Sequence, residues 1–406
     1  MNIVTDTPAS ARRWSAIYPE LGTAPIPIEP CISPEYFERE RKAIFKRTWL
    51  NVGRVEQIPK PGDYFTIDIV AGSASIIVAR AMDGTIRAFH NMCSHRGNKV
   101  VWNESGHANR FVCSFHAWVF GLDGSLRGVP DEGQFHDFRK ADHALSPVAL
   151  DTWEGFLFVN LDPAPRETLA EHLGEFGSAL SGWPFGERST CYAYRVEIKA
   201  NWKVTMNAFQ ESYHVPFVHR RTVPDSAAGQ ENPFARPVGI HLYPRHQVLS
   251  IYANPHTRLN PIDEIVARHG PGYRKRVTTL NNMPPGINPT GGTPWGFDLD
   301  TVFPNFIMLL WGNGMYATYN FWPLAVNRTL YEVRLYNVKP KRAGEKFSHE
   351  YNRAVLRSAL SEDLATLEQI QPMLESGAKT HFILQDNEIG VRHHHHVVDT
   401  FVRGVA

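Results

Sequence analysis

Two short cysteine–histidine pairs constrain this chain more than any other feature of its sequence. Cys93-x-His95 and Cys113-x-x-His116 are separated by 17 residues and use two of only four cysteines in 406 residues. Four cysteines are too few for a disulfide framework, so Cys and His side chains in pairs indicate a metal centre. Two preorganised pairs also reduce the entropy lost when four ligands converge. The sequence therefore predicts two loops that meet around one metal centre.

The order of ligands within each pair favours one kind of centre. A zinc finger groups its cysteines in one knuckle and its histidines in the other, whereas here each loop supplies one of each. That order suits a [2Fe-2S] cluster in which two cysteines hold one iron and two histidines hold the other. A structural zinc site remains the alternative.

Length and charge exclude several classes of function. The chain is long enough for two or three domains, and 43% of its residues are hydrophobic. Its formal net charge is +1, with no block of like charge, so we expect no nucleic-acid partner and no anionic-membrane footprint. No segment has the roughly 18 apolar residues of a spanning helix, and the N-terminus has no signal-peptide core. We therefore expect a cytoplasmic protein.

A run of four histidines, residues 393–396, resembles part of a purification tag. It is short, however, and amphipathic sequence of native character follows it. Because tags are excluded only where their context fits, we interpret the run as native.

The first half of the chain is predicted to form a small all-β domain. Residues 1–44 form a lead-in segment, in which a Ser cap and Pro34 predict a helix over 33–49. Short β-rich runs with Asp-Gly turns at 83–84 and 123–124 follow. We expect residues 45–163 to form a domain with both Cys/His pairs on its loops.

Residues 164–406 mix strand and helix patterns. Helices are predicted at about 200–215 and at about 346–376, with strands such as PNFIMLLWG and TLYEVRLYNV between them. Runs of this kind predict an antiparallel sheet with helices packed on it, so the fold class of the whole chain is α+β.

A second group of polar residues lies on the helix predicted at about 200–215. At 100° per residue, one face of this helix is apolar and the other is polar. The apolar stripe is Trp202, Met206, Phe209, Tyr213 and Phe217, and the polar face carries Asn207, Glu211 and His214. Because proline ends helices, Pro216 is expected to stop this one near residues 213–215, so that His219 can turn back towards His214.

Asp363 supplies a third candidate ligand. It lies at the edge of the apolar stripe of the helix at 346–376, where a buried carboxylate needs a partner. An arginine or a helix cap could be that partner. Two histidines and one carboxylate are the ligands of a non-haem Fe(II) centre with open positions for O₂ and substrate. Glu362 remains the alternative carboxylate ligand.

Taken together, the two ligand sets resemble the catalytic α subunit of Rieske non-haem iron ring-hydroxylating oxygenases. The resemblance is carried, in order, by CSHRGNKVV, CSFHAWVFGLDGSLRGVP, NWKVTMNAFQESYH with a later His, and EDLATLEQIQ. It implies a Rieske domain followed by a catalytic domain with a helix-grip-like sheet. The implied cluster ligands are Cys93, His95, Cys113 and His116, and the implied ligands of the mononuclear iron are His214, His219 and Asp363.

The resemblance also implies roles for two further residues. Glu211 stands three residues before the first iron-ligand histidine, where the family usually has an Asp that bridges to a cluster histidine of the adjacent subunit. A carboxylate can accept hydrogen bonds from imidazoles on both sides and so join two redox centres. A bridge across subunits implies a homotrimer, and an additional small β subunit remains open. Asn207 matches a family position near the iron.

The same resemblance implies O₂ and a small organic substrate, expected to be apolar and aromatic. No G-x-G-x-x-G opens a βαβ unit, so electrons are expected from NAD(P)H through a separate reductase, with a ferredoxin as an option. Cis-dihydroxylation, monohydroxylation and demethylation are not separated by these residues. The rival interpretations are a zinc-dependent binding or regulatory protein and a Rieske electron carrier without oxygenase activity.

Overall fold

The computed structural model of the chain describes residues 13–188, 190–223, 225–270 and 282–404. The helices are α1 (Trp14–Ile17), α2 (Pro34–Glu40), α3 (Leu169–Ala179), α4 (Trp202–Asn207), α5 (Val215–Val218), α6 (Pro261–His269), α7 (Ala343–Glu375) and α8 (Ile389–Arg403). The strands are β1 (Ile26–Pro27), β2 (Leu50–Arg54), β3 (Asp63–Ile69), β4 (Ala74–Arg80), β5 (Ile86–His90), β6 (Ser105–His107), β7 (Phe111–Val112), β8 (Val119–Phe120), β9 (Leu126–Gly128), β10 (Pro147–Trp153), β11 (Phe156–Asn160), β12 (Thr190–Ile198), β13 (Gly239–Leu242), β14 (Gln247–Tyr252), β15 (Trp295–Val302), β16 (Phe306–Trp311), β17 (Tyr316–Ala325), β18 (Arg328–Asn337) and β19 (His381–Phe382).

The chain divides into two compact units. Arg41–His172 form the first, called here the β unit, and the described residues up to 40 join those from 173 onward in the second, the α+β unit. This division differs from the predicted boundaries at 45 and 164, because residues 13–40 belong to the α+β unit and are not a separate lead-in segment. The reason is a long-range contact. Glu40 is fully buried against Trp202 and Lys203 of α4.

The β unit is built on a seven-stranded antiparallel sheet in the order β2-β11-β10-β5-β4-β3-β6, and a three-stranded sheet, β7-β8-β9. The predicted Asp-Gly turns join β4 to β5 and β8 to β9. Gly124 in the second turn has φ +82, and a Cβ there would meet the ring of Phe89. Cys93, Cys113 and Trp118 lie in the hydrophobic core of this unit.

The α+β unit has a second seven-stranded antiparallel sheet, in the order β12-β18-β17-β16-β15-β14-β13. Helix α7 has 33 residues and packs against α4, α6 and β12. It confirms the helix predicted at 346–376, and Asp363 lies buried on it together with Leu356, Leu360 and Leu367. Together the two units confirm the predicted α+β class.

The helix predicted at 200–215 is wrong in its second half. Helix α4 begins after Asn201, whose side chain accepts a hydrogen bond from the backbone N–H of Lys203, and it ends at Asn207. Pro216 lies in the first turn of the separate helix α5, where a missing N–H costs nothing because first-turn N–H groups have no helical partner. The predicted apolar stripe is therefore broken, and Tyr213 and Phe217 are 43% and 47% exposed.

Two further elements of the chain bear on the sequence analysis. The helix predicted over 33–49 is shorter, because α2 ends at Glu40 and a π-helical turn over Arg41–Phe45 follows it. The histidine run lies in α8, with His393, His394 and His395 buried and His396 exposed. Within the described ranges, none of the helices combines the length and apolar character needed to cross a membrane.

Candidate functional site

The two Cys/His loops of the β unit have the same backbone arrangement. Cys93 N–H donates to the carbonyl of Asn98 at 2.8 Å, and Gly97 N–H donates to the carbonyl of Cys93 at 2.9 Å. In the second loop, Cys113 N–H donates to the carbonyl of Trp118 and Ala117 N–H donates to the carbonyl of Cys113, each at 2.9 Å. The donors and acceptors are thus spaced along the chain as in the first loop. Gly97 and Ala117 both have positive φ, at +76 and +55. Each loop thus turns tightly around its cysteine.

The thiols and imidazoles of these loops converge. The ring centroids of His95 and His116 lie 4.6 Å apart, and Trp118 stacks on His95 at 4.9 Å. His95 Nδ1 is buried and has no hydrogen-bond partner, which leaves it available as a ligand. Burial and the nearby His116 and Arg96 lower the pKa of His95, so its imidazole is neutral at pH 7. Neutral imidazole is the form that binds metal.

The Cys113 thiol lies among hydrogen-bond donors. Burial opposes its ionisation, but backbone N–H groups at Phe115 and His116 and the Asn98 side chain lower the pKa of Cys113. The Asn98 Nδ2 group lies 3.6 Å from Cys113 Sγ. Donors of this kind stabilise a thiolate. Two buried thiols and two neighbouring imidazoles therefore fit a two-cysteine, two-histidine cluster.

The second ligand group is assembled in the α+β unit. His214 precedes α5 and His219 follows it, so a single helical turn carries both histidines towards Asp363 on α7. One ligand atom from each of the three residues lies within 4.8 Å of the others. The Nε2 atoms of His219 and His214 lie 3.1 Å and 3.4 Å from Asp363 Oδ1. In the described part of the chain, no other group of three or more His, Cys, Asp or Glu residues brings its ligand atoms this close together.

Two outer carboxylates orient the histidines. Glu211 hydrogen-bonds with Nδ1 of His214 and accepts from its backbone N–H at 3.2 Å. Glu362 Oε2 lies 2.8 Å from Nδ1 of His219 and accepts from Thr222 Oγ1 at 2.7 Å. Both Nε2 atoms are left to face Asp363, as is usual where a carboxylate orients a ligand histidine. Glu362 therefore lies behind a candidate ligand and outside the three-residue group.

The local charge favours a cation. Burial by itself lowers a histidine pKa, but Glu211 and Asp363 outweigh it and raise the pKa of His214 to about 9. The pKa of His219 is also raised against burial, by Asp363 and Glu362. The same carboxylates would stabilise a metal cation held between the imidazoles. The residues present thus fit a mononuclear metal with two histidines and one carboxylate.

Two cavities meet at this group. The large cavity has a volume of about 520 Å³, and the small cavity has a volume of about 280 Å³. Glu211, His214 and Asp363 line both of them. Among the described residues that line the large cavity there is no lysine or arginine. Its sheet wall is formed by aromatic and aliphatic residues, and Phe297 of β15 pairs with Trp311 of β16, with ring centroids 5.3 Å apart.

Asn207 lies at the end of α4 and lines the small cavity. Its Oδ1 is 3.1 Å from Nε2 of His395, a contact that the sequence analysis missed. The signal available in the sequence was the histidine run inside an amphipathic segment. Glu362 was considered there as a ligand, but its contact with Nδ1 of His219 was also missed.

Two family comparisons cover most of the chain. Residues 185–404 match the family described as "Ring hydroxylating alpha subunit (catalytic domain)". Residues 48–146 match "Rieske [2Fe-2S] domain". The first match lies within the α+β unit and the second within the β unit, and together they include every candidate ligand.

Curated relatives match over less of their length. The large oxygenase component of a naphthalene 1,2-dioxygenase system from Ralstonia sp. is 38% identical over 194 residues, which cover 46% of this chain and 42% of the relative. A carnitine monooxygenase oxygenase subunit from Acinetobacter baumannii is 30% identical over 193 residues, which cover 46% of this chain and 50% of the relative. The chain thus spans about half the length of the curated relatives it matches. A solved quaternary ammonium Rieske monooxygenase shares its fold, with a TM-score of 0.74 and 22% identity over 93% of this chain and 95% of that one.

Proposed function

Because this chain belongs to the family of ring-hydroxylating α subunits, we propose that it is a terminal oxygenase that hydroxylates an apolar, aromatic substrate with O₂ and externally supplied electrons. The observation that carries the proposal is the large cavity, whose wall includes His214, His219 and Asp363. An apolar chamber next to a two-histidine, one-carboxylate group is what such a reaction requires.

In this proposal His214, His219 and Asp363 hold a mononuclear Fe(II). The bound iron supplies the chemistry of O₂ activation. The protein supplies the ligand geometry: Glu211 and Glu362 accept from the two Nδ1–H groups, so each Nε2 offers its lone pair to the metal. Asp363 contributes negative charge at a buried position, 5% exposed, where water competes little for the metal.

Cys93, His95, Cys113 and His116 hold the Rieske cluster in the same proposal. The equivalent backbone arrangement of the two loops and the unpartnered Nδ1 of His95 support it. When bound there, the cluster would supply one-electron transfer. The source of the electrons is NAD(P)H, through a separate reductase with or without a ferredoxin, in the cytoplasm.

Electron transfer to the mononuclear site is proposed to run between subunits of a homotrimer. Glu211 supports this route, because it hydrogen-bonds with His214 and also lines the small cavity. Ile383 lines the same cavity and is 79% exposed, which marks this side of the cavity as open to the surface. A cluster histidine of a second copy could reach Glu211 from that side. The report of the solved quaternary ammonium monooxygenase names inter-subunit electron transfer for that protein. A small β subunit would be an addition to this trimer.

The substrate is proposed to be neutral and aromatic. Phe297, Trp311 and Tyr319 form flat walls of the large cavity, and aromatic side chains of this kind pack well against planar rings. A zwitterion such as carnitine needs a cation to pair with its carboxylate. The described lining residues include no such cation, which favours a substrate of the naphthalene kind.

The test is product formation by reconstituted protein. Cluster and Fe(II) are loaded, a surrogate reductase, ferredoxin and NADH are added, and naphthalene and carnitine are compared as substrates. The oxygen-18 label of ¹⁸O₂ is expected in a hydroxylated aromatic product. Cis-dihydroxylation places both oxygen atoms in the product, whereas monohydroxylation releases one as water, and each takes up two electrons and two protons. Oxidation of carnitine alone would contradict the proposed substrate class, and normal turnover by Asp363→Ala would contradict the metal assignment.

A further inference from the structure

The histidine run of α8 has no role in the function proposed above, yet its first three members are buried. Two of these buried residues, His394 and His395, each make a hydrogen bond to a different part of the α+β unit. His394 Nε2 lies 3.3 Å from the carbonyl oxygen of Pro304, and His395 Nε2 lies 3.1 Å from Asn207 Oδ1. His396, the next residue, is exposed. The contact between His395 and Asn207 joins the histidine run to the small cavity beside the candidate metal site.

The protonation of His395 follows from its surroundings. Burial, with the nearby His394 and Lys203, lowers the pKa of His395 well below its usual range. A neutral imidazole carries one N–H. Nε2 lies 3.1 Å from the side-chain amide oxygen Oδ1 of Asn207, and the neutral tautomer that makes this hydrogen bond carries its proton on Nε2, so that His395 donates to Asn207.

This hydrogen bond determines which way the Asn207 amide faces. Its oxygen is occupied by His395, so the two N–H groups of Nδ2 lie on the other side of the amide. Asn207 lines the small cavity together with Glu211, His214 and Asp363. The N–H groups are therefore available to a group that enters this cavity beside the candidate ligands.

We propose that His395 is a positioning residue: it holds the Asn207 amide so that its N–H groups donate to a small anion beside His214 and Asp363. The inference rests on the proposed function, because the anion would lie next to the metal held by that site. Within the histidine run, only His395 has this positioning role. The other buried members fasten α8 to the rest of the unit.

The chain offers matched variants. His395→Leu keeps a side chain of moderate size and removes the donor, whereas His395→Gln keeps an N–H donor at the end of the side chain. His396→Leu makes the same change one residue later, on the exposed side of α8. Asn207→Ala removes the amide itself. Tm is measured for each variant, so that a loss of folding is recognised separately.

The functional measurement uses Co²⁺ in the mononuclear site and azide as the anion, followed by the visible absorption of the metal. His395→Leu and Asn207→Ala are each expected to weaken azide binding roughly three- to tenfold, as for the loss of one hydrogen bond. The double variant should be no weaker than either single variant, because both remove the same interaction. His395→Gln and His396→Leu should bind azide as the unchanged protein does. Unchanged binding by His395→Leu, or losses that add in the double variant, would overturn the inference.

Crystal structures of metal-free protein and of metal-free His395→Leu separate this inference from the proposed function. The Asn207 amide is expected to turn or to become disordered in the variant, and an unmoved amide would overturn the positioning role. If the unchanged protein binds no Co²⁺ through His214, the proposed function fails and the anion role fails with it. The crystal structures would still decide whether His395 orients Asn207.

Discussion

Glu40 and Lys203 form an ion pair in which both side chains are fully buried, between residues 163 positions apart in the chain. Glu40 also accepts a hydrogen bond from Trp202 Nε1 at 3.0 Å. Lys203 lies 5.6 Å from the ring centre of Tyr36 on the same helix as Glu40. This pair fastens helix α2 to α4, the helix that ends at Asn207.

We predict that Glu40→Gln destabilises the α+β unit, because it leaves the Lys203 ammonium buried without a counter-charge. The expected loss is about 3 to 5 kcal/mol, or on the order of 10 °C in Tm for a unit of this size. Thermal unfolding followed by circular dichroism measures it. Glu35→Gln, at an exposed position of α2, is the control and should change Tm little. Equal Tm values for the two variants would show that the buried pair contributes nothing.

Glu362→Gln is predicted to weaken metal binding at the mononuclear site without removing a ligand. Loss of a carboxylate that orients a ligand histidine costs about 10- to 100-fold in metal affinity. The measurement is the dissociation constant of Fe(II) under anaerobic conditions, with the exposed neighbour Ser361→Ala as control. If Glu362 were itself the carboxylate ligand, Asp363→Ala would retain the mononuclear iron. We expect Asp363→Ala to lose that iron.

Glu211→Gln should separate metal binding from electron transfer. Both Glu211 and Glu362 contact the Nδ1 atom of a candidate ligand, but of the two only Glu211 lines the small cavity. Once loaded with iron, the Glu211 variant is expected to hold both metal centres and to re-oxidise its reduced cluster more slowly in a single turnover with substrate and O₂. Glu362→Gln, loaded with iron to the same occupancy, is the matched control. Equal rates in the two variants would argue against a bridge through Glu211.

The metal content distinguishes the oxygenase from its rivals. We expect about three irons and two acid-labile sulfides per chain, with the visible spectrum of a Rieske cluster. Cys93→Ala should lose the sulfide and the spectrum, whereas Asp363→Ala should lose only about one iron. Zinc without sulfide would support a zinc-binding protein. Iron and sulfide near two each, with no loss on Asp363→Ala, would support a simple electron carrier.

Stability should fall in mild acid because of the buried histidines of α8. Burial lowers the pKa of His393 to about 4 and that of His394 to about 3. Since these values lie below the unfolded value near 6.5, the unfolded chain binds more protons, and the stabilisation present above pH 6.5 is lost as pH falls towards 4. The loss approaches about 1.4 kcal/mol per pH unit for each histidine. His394→Gln should show a shallower decrease of Tm between pH 7 and pH 5, while His396→Gln should follow the unchanged protein.

The parts of this protein that could be predicted from its sequence are those in which neighbouring residues act together. Cys93 and His95 share one tight loop, as do Cys113 and His116, so their spacing alone indicated a common metal centre. Asp363 could be placed on α7 because helical periodicity is a local property, and the β-rich runs and Asp-Gly turns located the strands in the same way.

Tertiary structure decided what depends on partners far away in the chain. Helix α4 ends at Asn207 although the apolar pattern continues. In the turn that follows, Glu211 hydrogen-bonds with Nδ1 of His214, and Pro216 lies in the first turn of a new helix. Glu362 and Asp363 are adjacent in sequence, and only the position of α5 against α7 separates a carboxylate behind His219 from one facing both histidines. His395 meets Asn207 across 188 residues. Such contacts depend on how sheets and helices pack, because burial and hydrogen bonding select among conformations that local sequence leaves nearly equal in energy.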